Sequence, residues 1–248
     1  MVKTIKENIK FLLFILVVGI CSGICMFFYA PSMLDEAMLS EVIAVMGSIE
    51  VYGLIAFVQV FSYALIFGVL GIYFSNKVNL LKPFKFEKNR FIKAILIGFI
   101  GGMMITLLDK FVFMPLIPQI SMTKPTLLYM LMAFTYGGVI EEVMMRLFLM
   151  SFISFILWKI FDRKNNISNK YTIISNILCA LLFAAGHLPA TILLFGGLSP
   201  AIIIRCFIGN GILGFLFGEL YRKNGIIYAM IAHVFAHVGM QALVLLFV

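Results

Sequence analysis

The chain has 248 residues, of which 63% are hydrophobic and 12% charged, and it carries a formal net charge of +8. A mean hydropathy of +1.11 excludes an ordinary soluble domain, which must cover its surface with polar groups. The positive balance does not describe a nucleic-acid-binding face. Lys and Arg sit in short segments between apolar runs, the pattern of membrane topology and of attraction to anionic lipid headgroups.

In chain order, apolar spans are predicted at about 11–29, 52–75, 92–109, 126–160, 172–195, 200–220 and 226–247, each near the length that crosses hydrocarbon. The fold class is therefore all-α, a polytopic transmembrane bundle of about seven to eight helices. Met1 to Lys10 is basic and precedes a run too long for a signal-peptide core, so it reads as the flank of a retained first helix. Asp35, Glu36, Glu41 and Glu50 follow that helix without any Lys or Arg among them. Lys77, Lys82, Lys85, Lys88 and Arg90 come next. A nearly neutral connection holds Asp109, Lys110 and Lys124, and then Arg163, Lys164 and Lys170 follow. After the Gly196-Gly197 link come Arg222 and Lys223. Basic connections alternate with acidic or neutral ones, which suits seven crossings with a cytoplasmic N-terminus in a plasma membrane.

Two stretches complicate that count. Residues 39–49 suit an interfacial or re-entrant helix. The run 126–160 would measure ~50 Å as one helix, so it must tilt, kink near Gly137-Gly138 or protrude. The four cysteines, Cys21, Cys25, Cys179 and Cys206, all lie in apolar spans without metal-like spacing and read as packing residues. No repeat or soluble domain is evident. The division expected is residues 1–120, helices without a chemical motif, and 121–248, the part that carries chemistry.

Ionisable residues deep in a bilayer are expensive and point to function. Glu141, Glu142 and Arg146 lie inside the long fourth span. At 100° per residue, Glu142 and Arg146 are ~40° apart and suit an ion pair. Glu141 lies ~100° from Glu142 and points elsewhere, as a general base facing a wet cavity would. Phe183 and His187 sit one turn apart, just before Pro189. His233 and His237 share a face of the last span, the arrangement that chelates a metal or offers two hydrogen-bonding groups to one atom. The chain has only three histidines, and all fall in these two motifs. Asn210 and Arg205 add polarity to the sixth span. Gly214 to Gly218 forms a GxxxG that suits close helix packing. Counting residues from the helix ends of the basic side places Glu141 ~28 Å up, His187 ~24 Å and His233 ~10 Å, although a joint site needs one depth. Either an extension of the fourth helix into the cytosol or an earlier start of the last span would reconcile them, and the excess length of the fourth span favours the first.

These motifs, Glu-Glu-x-x-x-Arg at 141–146, Phe-x-x-x-His at 183–187 and His-x-x-x-His at 233–237, resemble the CPBP family of intramembrane proteases. It is also called the type II CAAX prenyl endopeptidase or Abi family. The resemblance covers about residues 125–240. It implies an intramembrane peptidase acting on a membrane-associated peptide or protein, by CAAX-type or by bacteriocin- or leader-peptide processing, with Glu141, Glu142, Arg146, His187, His233 and His237 at the site. The last box departs from the family at His237, where Asn is common and is thought to hold the oxyanion. Two mechanisms stay open. In one, Glu141 activates water with His187, while His233 and His237 stabilise the oxyanion. In the other, His187, His233 and His237 bind Zn²⁺. The family is often labelled metalloprotease, but the His-Glu-x-x-His pattern of soluble zinc proteases is absent. A non-catalytic scaffold or bacteriocin-immunity member, and a proton-coupled transporter, are the competing readings. The Lys- and Ile-rich composition suits a prokaryotic source. Expected partners are membrane lipids and the substrate, with no nucleic acid.

Overall fold

A computed structural model describes residues 1–163 and 166–248, so Lys164 of the third basic segment lies outside the described residues. The described chain is helical, with seven helices long and apolar enough to cross a membrane. Two shorter helices flank the first span. In chain order the elements are α1 (Val2–Glu7), α2 (Ile9–Ser32), α3 (Glu36–Met46), α4 (Ile49–Lys77), α5 (Lys88–Phe113), α6 (Leu127–Phe161), α7 (Asn169–Phe195), α8 (Pro200–Asn224) and α9 (Ile226–Val244). The protein is a multi-pass membrane protein, and each predicted span corresponds to one of these helices. The segment 39–49 contributes to α3, which has no buried residue.

Local sequence explains the helix ends. Asp35, Ser48, Thr126 and Ser199 each accept a hydrogen bond from a backbone N–H in the first turn that follows, satisfying a donor that the helix itself leaves free. Gly225 turns the chain between α8 and α9 at φ +102°, a region open to glycine. Lys82 caps the end of α8, donating to the carbonyls of Arg222 (2.9 Å) and Lys223 (2.8 Å). Tyr228 donates to the carbonyl of Lys85 at 2.7 Å. These bonds hold two basic connections, α4–α5 and α8–α9, at one end of the bundle.

Helices approach closely where small residues allow it. Gly98 and Gly102 of α5 lie against the carbonyls of Ala232 and Ala236 in α9, and Gly239 of α9 lies against that of Phe99. A side chain at any of these positions would separate α5 from α9. Leu13, Phe14, Val17, Leu54, Leu65 and other large apolar residues face outward, as lipid permits and water does not. The main core gathers residues from α2, α4, α6, α8 and α9, with Ala94 of α5 and Cys179 of α7. A separate small core joins Phe113, Ile117 and Ile120 to Ile202 at the end opposite the basic connections.

Helix α6 resolves its excess length without a break at Gly137-Gly138. It is π-helical over Ala133–Glu141 and again over Val143–Met150. A π turn holds more residues than an α turn, so the same residues span less height. The helix also overhangs. Ser151 and Tyr221 share a 2.7 Å hydrogen bond, which sets Ser151 level with the last turns of α8. The remainder of α6, to Phe161, continues toward and past the basic end. This overhang removes the depth mismatch calculated from residue counts.

Candidate active site

Four helices bring the site together. In the centre of α6, Glu142 and Arg146 are sealed from solvent, at 0% and 1% exposure. The expected ion pair forms at 2.9 Å. The second guanidinium nitrogen of Arg146 donates to the carbonyl of Gly214 at 2.8 Å. The guanidinium carbon sits 4.6 Å from the centre of the Phe183 ring and 5.7 Å from that of Phe217. Carboxylate, carbonyl and two aromatic faces thus compensate a charge that alone would be prohibitive in hydrocarbon. Gly214 leaves room for this guanidinium, and Gly218 makes room for the Asn176 amide. The GxxxG of α8 is a packing device that also admits Arg146.

His233 of α9 lies between the two glutamates. Its Nδ1 is 2.8 Å from Glu142 Oε1, so the ring donates there to a carboxylate. Its Nε2 is 3.9 Å from Glu141 Oε2. The ring is stacked on Phe217 at 4.7 Å and on His237 at 5.2 Å between centroids. The sequence reading has Glu141 and Glu142 pointing in different directions. Instead they flank opposite nitrogens of one imidazole. The wider turns of α6 reduce the angle between consecutive residues, which brings the pair closer to one face.

His187 reaches the site from α7. Pro189 lacks an N–H, and the helix interrupts at Gly186–His187 before resuming over Leu188–Phe195. His187 Nδ1 donates to the carbonyl of Phe183 at 2.8 Å, since a carbonyl can only accept. Its Nε2 is 3.9 Å from Glu141 Oε1. The two imidazoles therefore address the two oxygens of the same carboxylate. Both carry their proton on Nδ1 when neutral, leaving Nε2 as a lone-pair acceptor. Neither nitrogen of the His237 ring has a hydrogen-bond partner among the described residues, and both are sealed from solvent. The ring lies over Gly137, where a Cβ would come within 2.6 Å of its Nε2.

Glu141, His187, His233 and His237 line one cavity of about 360 Å³, whose wall also holds Asn210 and Tyr136. Glu141 is 17% exposed and His187 is 32% exposed at the side chain, so the acid and one imidazole reach the cavity while Glu142 stays closed behind them. Asn210 donates to the carbonyl of Cys206 at 3.0 Å and borders the cavity. Arg205 forms a two-point ion pair with Asp109, both contacts 2.6 Å. The sequence reading did not link those two residues, which are 96 positions apart. Phe217 and Tyr136 were also missed; an aromatic on an apolar helix carries no mark distinguishing a site wall from core.

The Nδ1 bonds of His187 and His233 leave Nε2 free, as a metal ligand requires. Zinc needs its donors about 2.0–2.1 Å from one centre. Among the described residues no group of three or more His, Cys, Asp and Glu side chains is gathered to hold an ion.

Residues 123–239 match the family model described as Type II CAAX prenyl endopeptidase Rce1-like. Searches of curated proteins and of solved structures find no match. The matched segment includes every residue of the Glu, Arg and His cluster, and over that segment the chain is similar to the Rce1-like, type II CAAX prenyl endopeptidase family.

Proposed function

We propose that this protein is an intramembrane endopeptidase that hydrolyses a peptide bond in a membrane-associated peptide or protein, with Glu141 as general base. One observation carries the reading: the Glu141 carboxylate lies in a cavity with the Nε2 atoms of His187 and His233 each 3.9 Å from one of its oxygens. Oxygen and nitrogen atoms at that spacing can share one water molecule, which donates to the carboxylate and is oriented by the imidazoles.

The water oxygen attacks the scissile carbonyl carbon while Glu141 takes its proton. The tetrahedral oxyanion is held by an imidazole N–H. His237 is the donor proposed, since a neutral imidazole always carries one N–H and no described residue accepts from this ring. Collapse of the intermediate breaks the C–N bond, and Glu141 returns its proton to the departing amine. Glu142 holds His233 in the required tautomer, and Arg146 holds Glu142. These two act through their neighbours and touch no substrate. The scheme routes no step through a metal. The alternation of basic connections supports a plasma-membrane setting with the N-terminus in the cytoplasm.

The test uses purified protein in proteoliposomes and a library of membrane-anchored peptides, with products read by mass spectrometry. Parent protein is expected to cleave a subset and Glu141→Gln none. Equal turnover by both rejects the assignment. A cellular phenotype that survives loss of Glu141 and His187 would instead favour a scaffold or immunity role.

A further inference from the structure

The residues around the cavity that holds Glu141 are sealed on one side and partly exposed on the other. Toward the basic end, its wall includes Phe217, behind which lie Glu142, Arg146 and Tyr221, none of the four more than 1% exposed. The Ser151–Tyr221 hydrogen bond lies beneath them. Toward the opposite end, the cavity wall continues past His187 to Asp109 and Arg205, where Arg205 retains 27% side-chain exposure and Asp109 15%. Asp109 ends the regular part of α5 and Arg205 lies in the first turns of α8. Their ion pair is the one charged link between those segments among the described residues. It adjoins the small outer core around Phe113 and Ile202, which is separate from the main core. Arg205 lies over the Phe195 ring, 5.4 Å from its centre, and its Nη1 has no hydrogen-bond partner among the described residues, so the guanidinium has one edge to offer.

We propose that substrate reaches the cavity from the membrane face opposite the basic connections, past the Asp109–Arg205 pair, which latches α5 to α8 across the entrance. The substrates that fit are peptides whose scissile bond is presented in that half of the bilayer, on the side of α3. This substrate class rests on the peptidase reading; the route itself does not.

The route is read by cysteine accessibility in intact cells and in inverted vesicles, using a membrane-impermeant maleimide. The four native cysteines set the background in parent protein. Glu41→Cys in α3 and Lys85→Cys in the α4–α5 connection mark the two faces. Ala190→Cys and Met132→Cys report from two walls of the cavity. Both reporters are expected to react from the face that labels Glu41→Cys and to be protected from the face that labels Lys85→Cys. Reaction from the Lys85 face, or from neither, overturns the route. Adding Asp109→Asn or Arg205→Gln is expected to speed reporter modification several-fold, with Lys85→Cys labelling and gel-filtration profile unchanged. Unchanged rates in both variants overturn the latch. Glu141→Gln should leave every labelling rate as in the parent, so failure of the peptidase assignment and failure of the route are separate results.

Discussion

Helices α2 and α4 meet along small and apolar residues, whereas α6 and α9 meet around two carboxylates, a guanidinium and two imidazoles. No Asp, Glu, Lys, Arg or His occurs from Phe11 to Leu34 or from Val51 to Asn76. There Gly19 packs on Ala64 and Gly68 on Ile15 and Leu12. Contact of that kind is cumulative, and each atom pair contributes little. In the α6–α9 centre the groups are mutually dependent. Glu142 is acceptable because Arg146 and His233 meet it, and Arg146 because Glu142, Gly214 and two aromatic rings meet it. Shape holds the first region together, and the second is held by having no partner missing. A buried cluster of this kind is stable only as a set.

The largest effect expected from breaking that contrast is at Glu142. Glu142→Ala leaves Arg146 and His233 without their carboxylate, and should lower stability in detergent by about 3–5 kcal/mol, with activity lost in parallel. Replacing the pair together, Glu142→Leu with Arg146→Met, should recover much of the stability and none of the activity. Unfolding in a mild denaturing detergent, followed by near-ultraviolet circular dichroism, measures both variants.

Glu141→Gln should separate the two quantities in the opposite sense. The residue borders the cavity, so stability should hold while peptide cleavage falls by about 10²–10⁴-fold. A variant that unfolds would show Glu141 to be part of the clamp instead. In the apolar region, Gly19→Leu inserts a side chain where even a Cβ would overlap Ala64, and should cost about 1–3 kcal/mol. Its cleavage rate, scaled to folded protein, should stay at the parent value. Tyr221→Phe removes the bond to Ser151 and should cost about 0.5–1.5 kcal/mol in the same unfolding assay. The smallest effect is expected from chelation. If the imidazoles work as proposed, prolonged incubation with a strong zinc chelator leaves cleavage unchanged. Loss of activity that added Zn²⁺ restores would transfer the chemistry to a metal.

Much of this was legible in the chain because it is local. An apolar run long enough to cross a membrane needs no partner to be recognised, and each predicted span has its helix. The Glu142–Arg146 pair follows from four-residue spacing on one helix. The interruption at His187 follows from Pro189. The neighbouring rings of His233 and His237 follow from the same i, i+4 geometry. The winding of α6 was different. Gly137 and Gly138 suggested a kink; in the fold they lie against His237 and Val234 of α9, and π turns run through that stretch. That outcome depends on which helix packs against them, which residue order along α6 does not encode.

The sequence by itself determined a membrane bundle, its crossings, and the residue types that must be sheltered within it, because hydrocarbon imposes those requirements on any chain. Tertiary structure decided that Glu141 and Glu142 flank one imidazole, that Asp109 meets Arg205 across two helices, and that Glu141, His187, His233 and His237 line one cavity. Those facts depend on the relative height and rotation of separate helices. Relative height and rotation are fixed by glycine contacts, overhang and buried charge pairs acting together, and no single segment holds them.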